Sequence, residues 1–199
     1  MAEPAKKRAT YADLQAVPPH LVAEIVDGEL ITHPRPAPRH VLAATELAYE
    51  LAGPFRRGRG GPGGWMFMVE PELHLGPDVV VPDIAGWRRE RLTALPDTPY
   101  LEVAPDWVCE VISPSTESHD RVLKRRIYAG AGVAHLWLLD PRAKLLEVFA
   151  LAAENWLLVG SFRDSDDVAA PPFDSISFSL GVLWPFDEPG EAAPPEERR

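Results

Sequence analysis

The sequence has very little cysteine and no long hydrophobic run. Cys109 is the only cysteine among 199 residues, which excludes an internal disulfide and any zinc site built from several cysteines. No apolar run approaches the roughly 20 residues that a membrane-spanning helix needs. The basic stretch at the N-terminus is not followed by the apolar core of a secretory signal. We therefore expect a cytoplasmic protein without a membrane partner.

Positive charge is also scarce. The chain carries 20 Lys and Arg against 30 Asp and Glu, a formal net charge of −10. This balance argues against a protein that coats nucleic acid by bulk attraction. The charge is uneven, because residues 1–130 carry −3 and residues 131–199 carry −7. We therefore expect an anionic ligand to bind within the first two-thirds of the chain.

The remaining composition is that of a globular protein, with 46% apolar and 25% charged residues. The length fits a single domain of ordinary size. We predict a flexible N-terminus over residues 1–10, one domain over residues 11–186 and a disordered acidic tail over residues 187–199.

Turn signals and apolar spacing predict an α+β order around one central mixed sheet flanked by helices. An Asp-Gly turn predicts an N-terminal hairpin, and helical spacing predicts an amphipathic helix. The predicted elements are a helix at Tyr11–Ala16, the hairpin around Asp27-Gly28, a helix from His40 to Ala52, strands at Trp65–Leu75, Val79–Trp87 and 107–113, a helix capped by Thr116 or Ser118 and ending at Ala131, a three-stranded antiparallel meander over 135–162, and a last strand pair within 173–184.

Two carboxylates interrupt strongly apolar strands. Asp83 follows Pro82 at the end of VVVP, and Glu110 lies between Cys109 and Val111. A buried carboxylate is costly unless it is paired, protonated or bound to a metal. Two carboxylates on neighbouring strands can share a divalent cation such as Mg²⁺ or Mn²⁺. The alternative is structural: Asp83 caps a turn, and Glu110 pairs with an arginine from the helix at 121–126.

Strand alternation limits where a cation can come from. Glu110 and Ile112 point to one face of the strand, and Cys109 and Val111 point to the other. The position two residues after the glutamate is therefore apolar, and we expect Cys109 to lie in the core. Lys124 lies beside the apolar stripe of the next helix, so its stem can lie on the sheet with its ammonium directed inward. A solvated basic face is the alternative for this segment.

Several segments in order resemble the Uma2 family of the PD-(D/E)xK nuclease superfamily. They are EIVDGEL (24–30) followed by Pro34 and His40, Pro82-Asp83, DWVCEVISPST (106–116), Lys124-Arg125, YAGAGV (128–133) and WLLDP (137–141). The resemblance covers about residues 10 to 185.

The resemblance implies a restriction-endonuclease-like core of helix, three strands, helix and a further strand. It implies Asp83 and Glu110 as metal ligands, with the backbone carbonyl of Val111 as a third. The lysine usually found two positions after the glutamate is replaced by Ile112, and the family pattern places the lysine at Lys124. The implied activity is Mg²⁺- or Mn²⁺-dependent endonucleolytic cleavage of DNA, with Lys124 assisting the attacking water.

Further residues are candidates for the same reaction. The resemblance also implies Glu46 as a candidate accessory carboxylate, since superfamily members often carry a glutamate on the first long helix; an exposed structural glutamate is the alternative. Candidate contacts to the DNA backbone are Arg56, Arg57, Arg59, Arg88 and Arg125. A homodimer is a hypothesis, because cutting both strands favours two sites. No nucleotide cofactor is predicted.

Two other functions remain open from the sequence. One is a non-catalytic binding or assembly module that keeps the nuclease fold with a silent metal site, which the acidic charge and the displaced lysine favour. The other is a metal-dependent hydrolase of small phosphoesters. The presence of Asp83, Glu110 and Lys124 together favours the nuclease.

Overall fold

The computed structural model of the protein describes residues 8–114 and 119–186. The predicted helix caps Thr116 and Ser118 lie outside these residues. So do most of the predicted flexible N-terminus and the predicted acidic tail.

The N-terminal region forms a short helix and a hairpin. Helix α1 (Tyr11–Gln15) begins at Thr10, whose side chain and that of Asp13 form a reciprocal capping box. Strands β1 (Leu21–Val26) and β2 (Glu29–Pro34) pair in an antiparallel register. Asp27 and Gly28 both have positive φ, 54° and 79°, as a two-residue turn of this kind requires. The predicted hairpin is confirmed.

The predicted amphipathic helix is confirmed as α2 (Pro38–Leu51), which continues into a π-helical turn at Ala52–Arg56. The two long strands predicted after it are wrong in extent. Each is divided, giving β3 (Trp65–Val69), β4 (Leu73–Leu75), β5 (Asp78–Val80) and β6 (Ile84–Arg88). The breaks coincide with Glu70, which has a φ of 48° and precedes a proline, and with Pro82, which has no N–H for a sheet ladder.

The second half carries the remaining strands and one helix. They are β7 (Trp107–Val111), a π-helical segment (His119–Lys124), α3 (Arg125–Gly130), β8 (His135–Asp140), β9 (Leu145–Ala152), β10 (Asn155–Arg163), β11 (Asp167–Val168), β12 (Phe178–Ser179) and a 3₁₀ turn (Leu180–Leu183). The meander is confirmed. The last strand pair is misplaced, because β11 precedes the predicted range and the segment after β12 closes into a 3₁₀ turn that buries Leu180 and Leu183.

Two main sheets organise the fold. The larger has the order β10-β9-β8-β7-β6-β3, and the smaller has the order β2-β1-β5-β4. Only β7 and β8 are parallel among the paired strands described. The segment with the π-helical turn and α3 joins these two strands. The predicted order of helix, three strands, helix and strand is therefore present as α2, β3, β6, β7, α3 and β8.

The larger sheet buries both faces. Cys109 and Val111 belong to the core on one face with Leu47 of α2, and Val108 and Ile112 belong to the core on the other with Tyr128 of α3. This confirms the predicted alternation of β7 and the core position of Cys109. No helix in the described part of the chain is long and apolar enough to cross a membrane.

Candidate active site

A cavity of about 240 Å³ lies where the two sheets meet. Its lining includes Glu24 of β1, Asp83 before β6, Glu110 of β7, and Asp120 and Lys124 of the π-helical segment. Residues far apart in the chain meet here because β1 pairs with β5 and β6 pairs with β7. The predicted trio of Asp83, Glu110 and Lys124 therefore faces one cavity.

Glu110 is almost fully buried, with 1% of its surface exposed. The Tyr128 hydroxyl donates a hydrogen bond of 2.5 Å to Oε1 of Glu110, and Lys124 Nζ lies 3.3 Å from the same atom. Burial raises the pKa of this carboxyl well above its ordinary value, and nearby carboxylates add to the effect while Lys124 opposes it. Additional positive charge near Glu110 would therefore stabilise its ionised form.

Lys124 is 5% exposed, and its ammonium is surrounded by oxygen atoms. Nζ lies 3.0 Å from Glu24 Oε1 and 3.4 Å from Asp120 Oδ1, and it donates to the Val81 carbonyl oxygen at 3.4 Å. Burial lowers the pKa of this ammonium, but the carboxylates of Glu110, Glu24 and Asp120 outweigh it and raise the pKa well above its ordinary value. Lys124 is therefore held in its charged form. The predicted inward orientation of this side chain is present.

Glu24 is a residue of the cavity that the sequence analysis did not name as a site candidate. Its Oε1 accepts a hydrogen bond of 2.7 Å from the Val81 N–H, and its Oε2 lies 3.6 Å from His33 Nε2. Burial raises its pKa, but Lys124, His33 and Val81 together lower it to about 2. The missed signal was a carboxylate inside the apolar strand LVAEIV, the same signal that identified Glu110.

Both oxygens of Asp83 have protein partners. Oδ2 accepts a hydrogen bond of 2.7 Å from the Val111 N–H, and Oδ1 lies 2.7 Å from His40 Nε2. His40 belongs to the first turn of α2, and its Nδ1 is buried without a hydrogen-bond partner. The carboxylate of Asp83 thus joins α2 to the end of β7. Val111 itself is fully buried and is not among the residues that line the cavity, although its N–H binds Asp83.

Other predicted residues lie away from the cavity. Glu46 is absent from its lining and follows His40 by six residues, which places the two on different faces of α2. Arg56, Arg57 and Arg59 follow the far end of α2, about 20 Å along its axis from His40. Arg88 ends β6, the strand that Asp83 precedes.

Two of the predicted arginines pack on aromatic rings. The Arg88 guanidinium lies 4.2 Å from the centroid of the Trp65 ring, and the Arg125 guanidinium lies 4.4 Å from that of Phe149. Arg125 therefore lies against β9, which is two strands away from β7 in the large sheet. The segment carrying Arg59 and the segment carrying Arg88 are adjacent, because the Arg89 N–H donates to the Gly64 carbonyl.

The chemistry of the cavity fits a hard divalent cation. Among the described residues, its lining contains five carboxylates (Glu24, Glu70, Asp83, Glu110 and Asp120), but only Arg35 and Lys124 among Lys and Arg. Carboxylate and carbonyl oxygens are the ligands that Mg²⁺ and Mn²⁺ prefer. Within residues 8–114 and 119–186, no group of three or more His, Cys, Asp or Glu is arranged to hold a metal ion. The metal ligands predicted from the sequence are fewer than this: the side chains of Asp83 and Glu110 and the backbone carbonyl of Val111.

Comparisons with known proteins support the family and the fold. The profile of the Uma2 family, described as "Putative restriction endonuclease", matches residues 8–182. The structure is similar to that of a protein from Anabaena variabilis described as "a putative nuclease belonging to DUF820". The two share a TM-score of 0.69 and 21% identity over 89% of this chain and 98% of the other, which shows a common fold. None of the curated proteins compared with the chain matches it.

Proposed function

The chain belongs to the Uma2 family, and on this premise we propose that it is a metal-dependent endonuclease that hydrolyses phosphodiester bonds in DNA. The observation that carries the proposal is the convergence of Asp83, Glu110 and Lys124 on one cavity from three separate segments. These groups combine two oxygen ligands with a cation that keeps its charge. This combination suits stabilisation of the charge that develops at a phosphate during hydrolysis.

Asp83 and Glu110 would hold Mg²⁺ or Mn²⁺, with the Val111 carbonyl as a third ligand. When bound, the ion supplies positive charge that activates a water molecule and offsets the charge on the phosphate. His40 and the Val111 N–H fix the orientation of the Asp83 carboxylate. Tyr128 does the same for Glu110. Such hydrogen bonds to ligating carboxylates commonly contribute to metal affinity.

Lys124 contributes as an ammonium in this mechanism. Because three carboxylates raise the pKa of Lys124, it donates a hydrogen bond to the attacking water or to a phosphate oxygen and does not remove a proton. Glu24 and Asp120 keep its stem and charge inside the cavity. They act on the substrate only through Lys124.

The DNA contacts are proposed at a distance from the cavity. Arg56, Arg57, Arg59 and Arg88 are exposed, and the first three lie about 20 Å away along α2. At 3.4 Å per base pair, this separation corresponds to about six base pairs of duplex. A duplex that occupies both regions must therefore be longer than that.

The non-catalytic binding module is the second candidate. The observation that favours it is the short distance between Lys124 and Glu24, together with the pairing of Lys124 with Glu110. A carboxylate cluster that already contains its own cation is stable without a metal ion. Metal binding and cleavage must therefore be measured separately.

The deciding experiment is cleavage of supercoiled plasmid with Mg²⁺ or Mn²⁺, compared between the wild type, Asp83→Ala and Lys124→Met. Asp97→Asn is the matched control, because Asp97 is exposed in a loop. If the protein is a nuclease, the plasmid is cut only when metal is present. The cutting persists in Asp97→Asn and disappears in Asp83→Ala and Lys124→Met. Cutting that survives in Asp83→Ala would contradict the proposal. Metal-dependent stabilisation without cutting would favour the binding module.

A further inference from the structure

Strand β10 forms an open edge of the large sheet. It pairs with β9 on one side, and no described strand pairs with it on the other. The segment is nine residues long, which is long for an unprotected edge. Open edges of this kind present unpaired backbone groups that can pair with another strand.

The apolar residues at this edge are unusually exposed. Leu157, Leu158 and Val159 are 53%, 56% and 47% exposed. Leu157 and Leu158 point to opposite faces of the sheet, so apolar surface is exposed on both sides of the same edge. From residues 155 to 162 the strand has no charged residue, although charged side chains commonly protect such edges.

The hydrogen-bonding pattern shows which backbone groups face outward. The Leu151 N–H donates to the Ala134 carbonyl and so points away from β10. Its partner in the ladder, Trp156, therefore directs its own N–H and C=O to the free edge. By alternation along β9, Leu158 does the same before the irregularity between Leu158 and Gly160, and Ser161 does so after it.

We propose that two copies of this chain pair through β10 in an antiparallel, two-fold symmetric arrangement centred on Leu158 and Val159. The irregularity between Leu158 and Gly160 changes which residues face outward after it. With the two-fold axis at Leu158 and Val159, Trp156 therefore lies opposite Ser161 of the second copy, and the backbone groups of both residues face the new interface. The same register places Glu154 opposite Arg163 of the second copy. Opposite charges therefore meet at both ends of the interface, and the exposed leucines are covered at its centre.

The dimer would have one continuous twelve-stranded sheet. The two cavities would be separated by seven strand spacings, about 34 Å along the sheet before twist is considered. Each cavity is built from one chain, so pairing is not required to complete it. The inference therefore stands independently of the proposed nuclease activity.

The test is the mass of the protein in solution by sedimentation equilibrium across the micromolar range, without metal or DNA. The wild type is expected to show twice the mass of one chain. Leu158→Lys places like charges at the two-fold axis and is expected to raise the dimer dissociation constant about tenfold or more. Leu95→Lys is the matched control, because Leu95 is 66% exposed away from β10.

A charge exchange tests the register. Glu154→Lys or Arg163→Glu alone is expected to weaken the dimer, and the double variant is expected to restore it. Thermal unfolding of each variant shows whether the monomer is intact. A wild-type monomer throughout the range, or a dimer unaffected by Leu158→Lys, would overturn the proposal. A weakened dimer without rescue in the double variant would overturn this register.

Discussion

The ammonium of Lys124 lies 3.0 Å from Oε1 of Glu24, a carboxylate one hundred residues earlier in the chain. Both side chains are buried. This contact joins the small sheet, which contains β1, to the segment that crosses the large sheet. Glu24 therefore helps to fix the position of the Lys124 ammonium in the cavity.

Replacing Glu24 with glutamine should destabilise the protein. Glu24→Gln keeps the shape but removes one of the charges that compensate buried Lys124, and we expect the free energy of unfolding to fall by about 3 kcal/mol. Urea denaturation at neutral pH measures the change. Glu29→Gln on the same hairpin is the control, because Glu29 is exposed. Equal stability of Glu24→Gln and wild type would contradict this account of the contact.

The stability that Glu24 contributes should depend on pH. Its folded pKa is about 2, below its ordinary value of 4.5. A lowered pKa means that the contribution is complete above pH 4.5 and is lost as the pH falls toward 2. The difference in stability between wild type and Glu24→Gln should therefore narrow between these values. Denaturant titrations at stepped pH measure it, and a difference that widened on acidification would have the wrong sign.

Removing the Tyr128 hydroxyl should weaken the fold without disrupting it. Tyr128→Phe leaves Glu110 Oε1 without its 2.5 Å hydrogen bond in a buried position, a loss of about 1–3 kcal/mol. Tyr49→Phe is the matched control, because Tyr49 is 76% exposed. In urea denaturation, we expect Tyr49→Phe to unfold at the same urea concentration as the wild type and Tyr128→Phe to unfold at a lower one.

His40 should influence metal binding through Asp83. The ring of His40 holds Oδ1 of Asp83, and we expect His40→Ala to weaken Mn²⁺ binding about 10- to 100-fold. Isothermal titration with Mn²⁺ measures the affinity, and His20→Ala serves as the control because His20 is exposed. Unchanged affinity in His40→Ala would separate this histidine from the metal site.

The distant arginines should affect DNA binding independently of sequence. Replacing Arg57 and Arg59 with glutamine should weaken binding to unrelated duplexes equally. It should also reduce the slope of log affinity against log salt by about 0.9 for each phosphate that the protein no longer neutralises. Fluorescence anisotropy with the Asp83→Ala protein measures binding without cleavage. Arg126→Gln is the control, since Arg126 is paired with Asp27. A sequence-dependent decrease in affinity would contradict the proposed backbone contacts.

Local patterns were sufficient to predict several elements. The Asp-Gly turn, the helical spacing of α2 and the alternation in β7 depend on neighbouring residues, and the structure agrees with each. The division of the predicted strands near Glu70 and Pro82 was missed. Which sheet a strand joins depends on distant partners, and β5 leaves the large sheet because β1 pairs with it.

The candidate site shows the same limit. A carboxylate in an apolar strand predicts burial, and both Glu24 and Glu110 carry that pattern. The pattern does not say which two such residues meet. Glu24 reaches Lys124 only because the small sheet lies beside the π-helical segment. This arrangement cannot be predicted from the spacing of residues in the sequence.

The parallel pairing of β7 and β8 has a consequence for where a lysine can originate. A connection between parallel strands must leave from the end of the first strand and return across the sheet. The π-helical segment and α3 lie on this route, and the π-helical segment passes over the end of β7 that carries Glu110. Lys124 in this connection therefore places its ammonium beside Glu110. Ile112, two positions after Glu110, packs in the core. Distances between side-chain ends would therefore identify proteins with this arrangement even where the interval along the sequence differs.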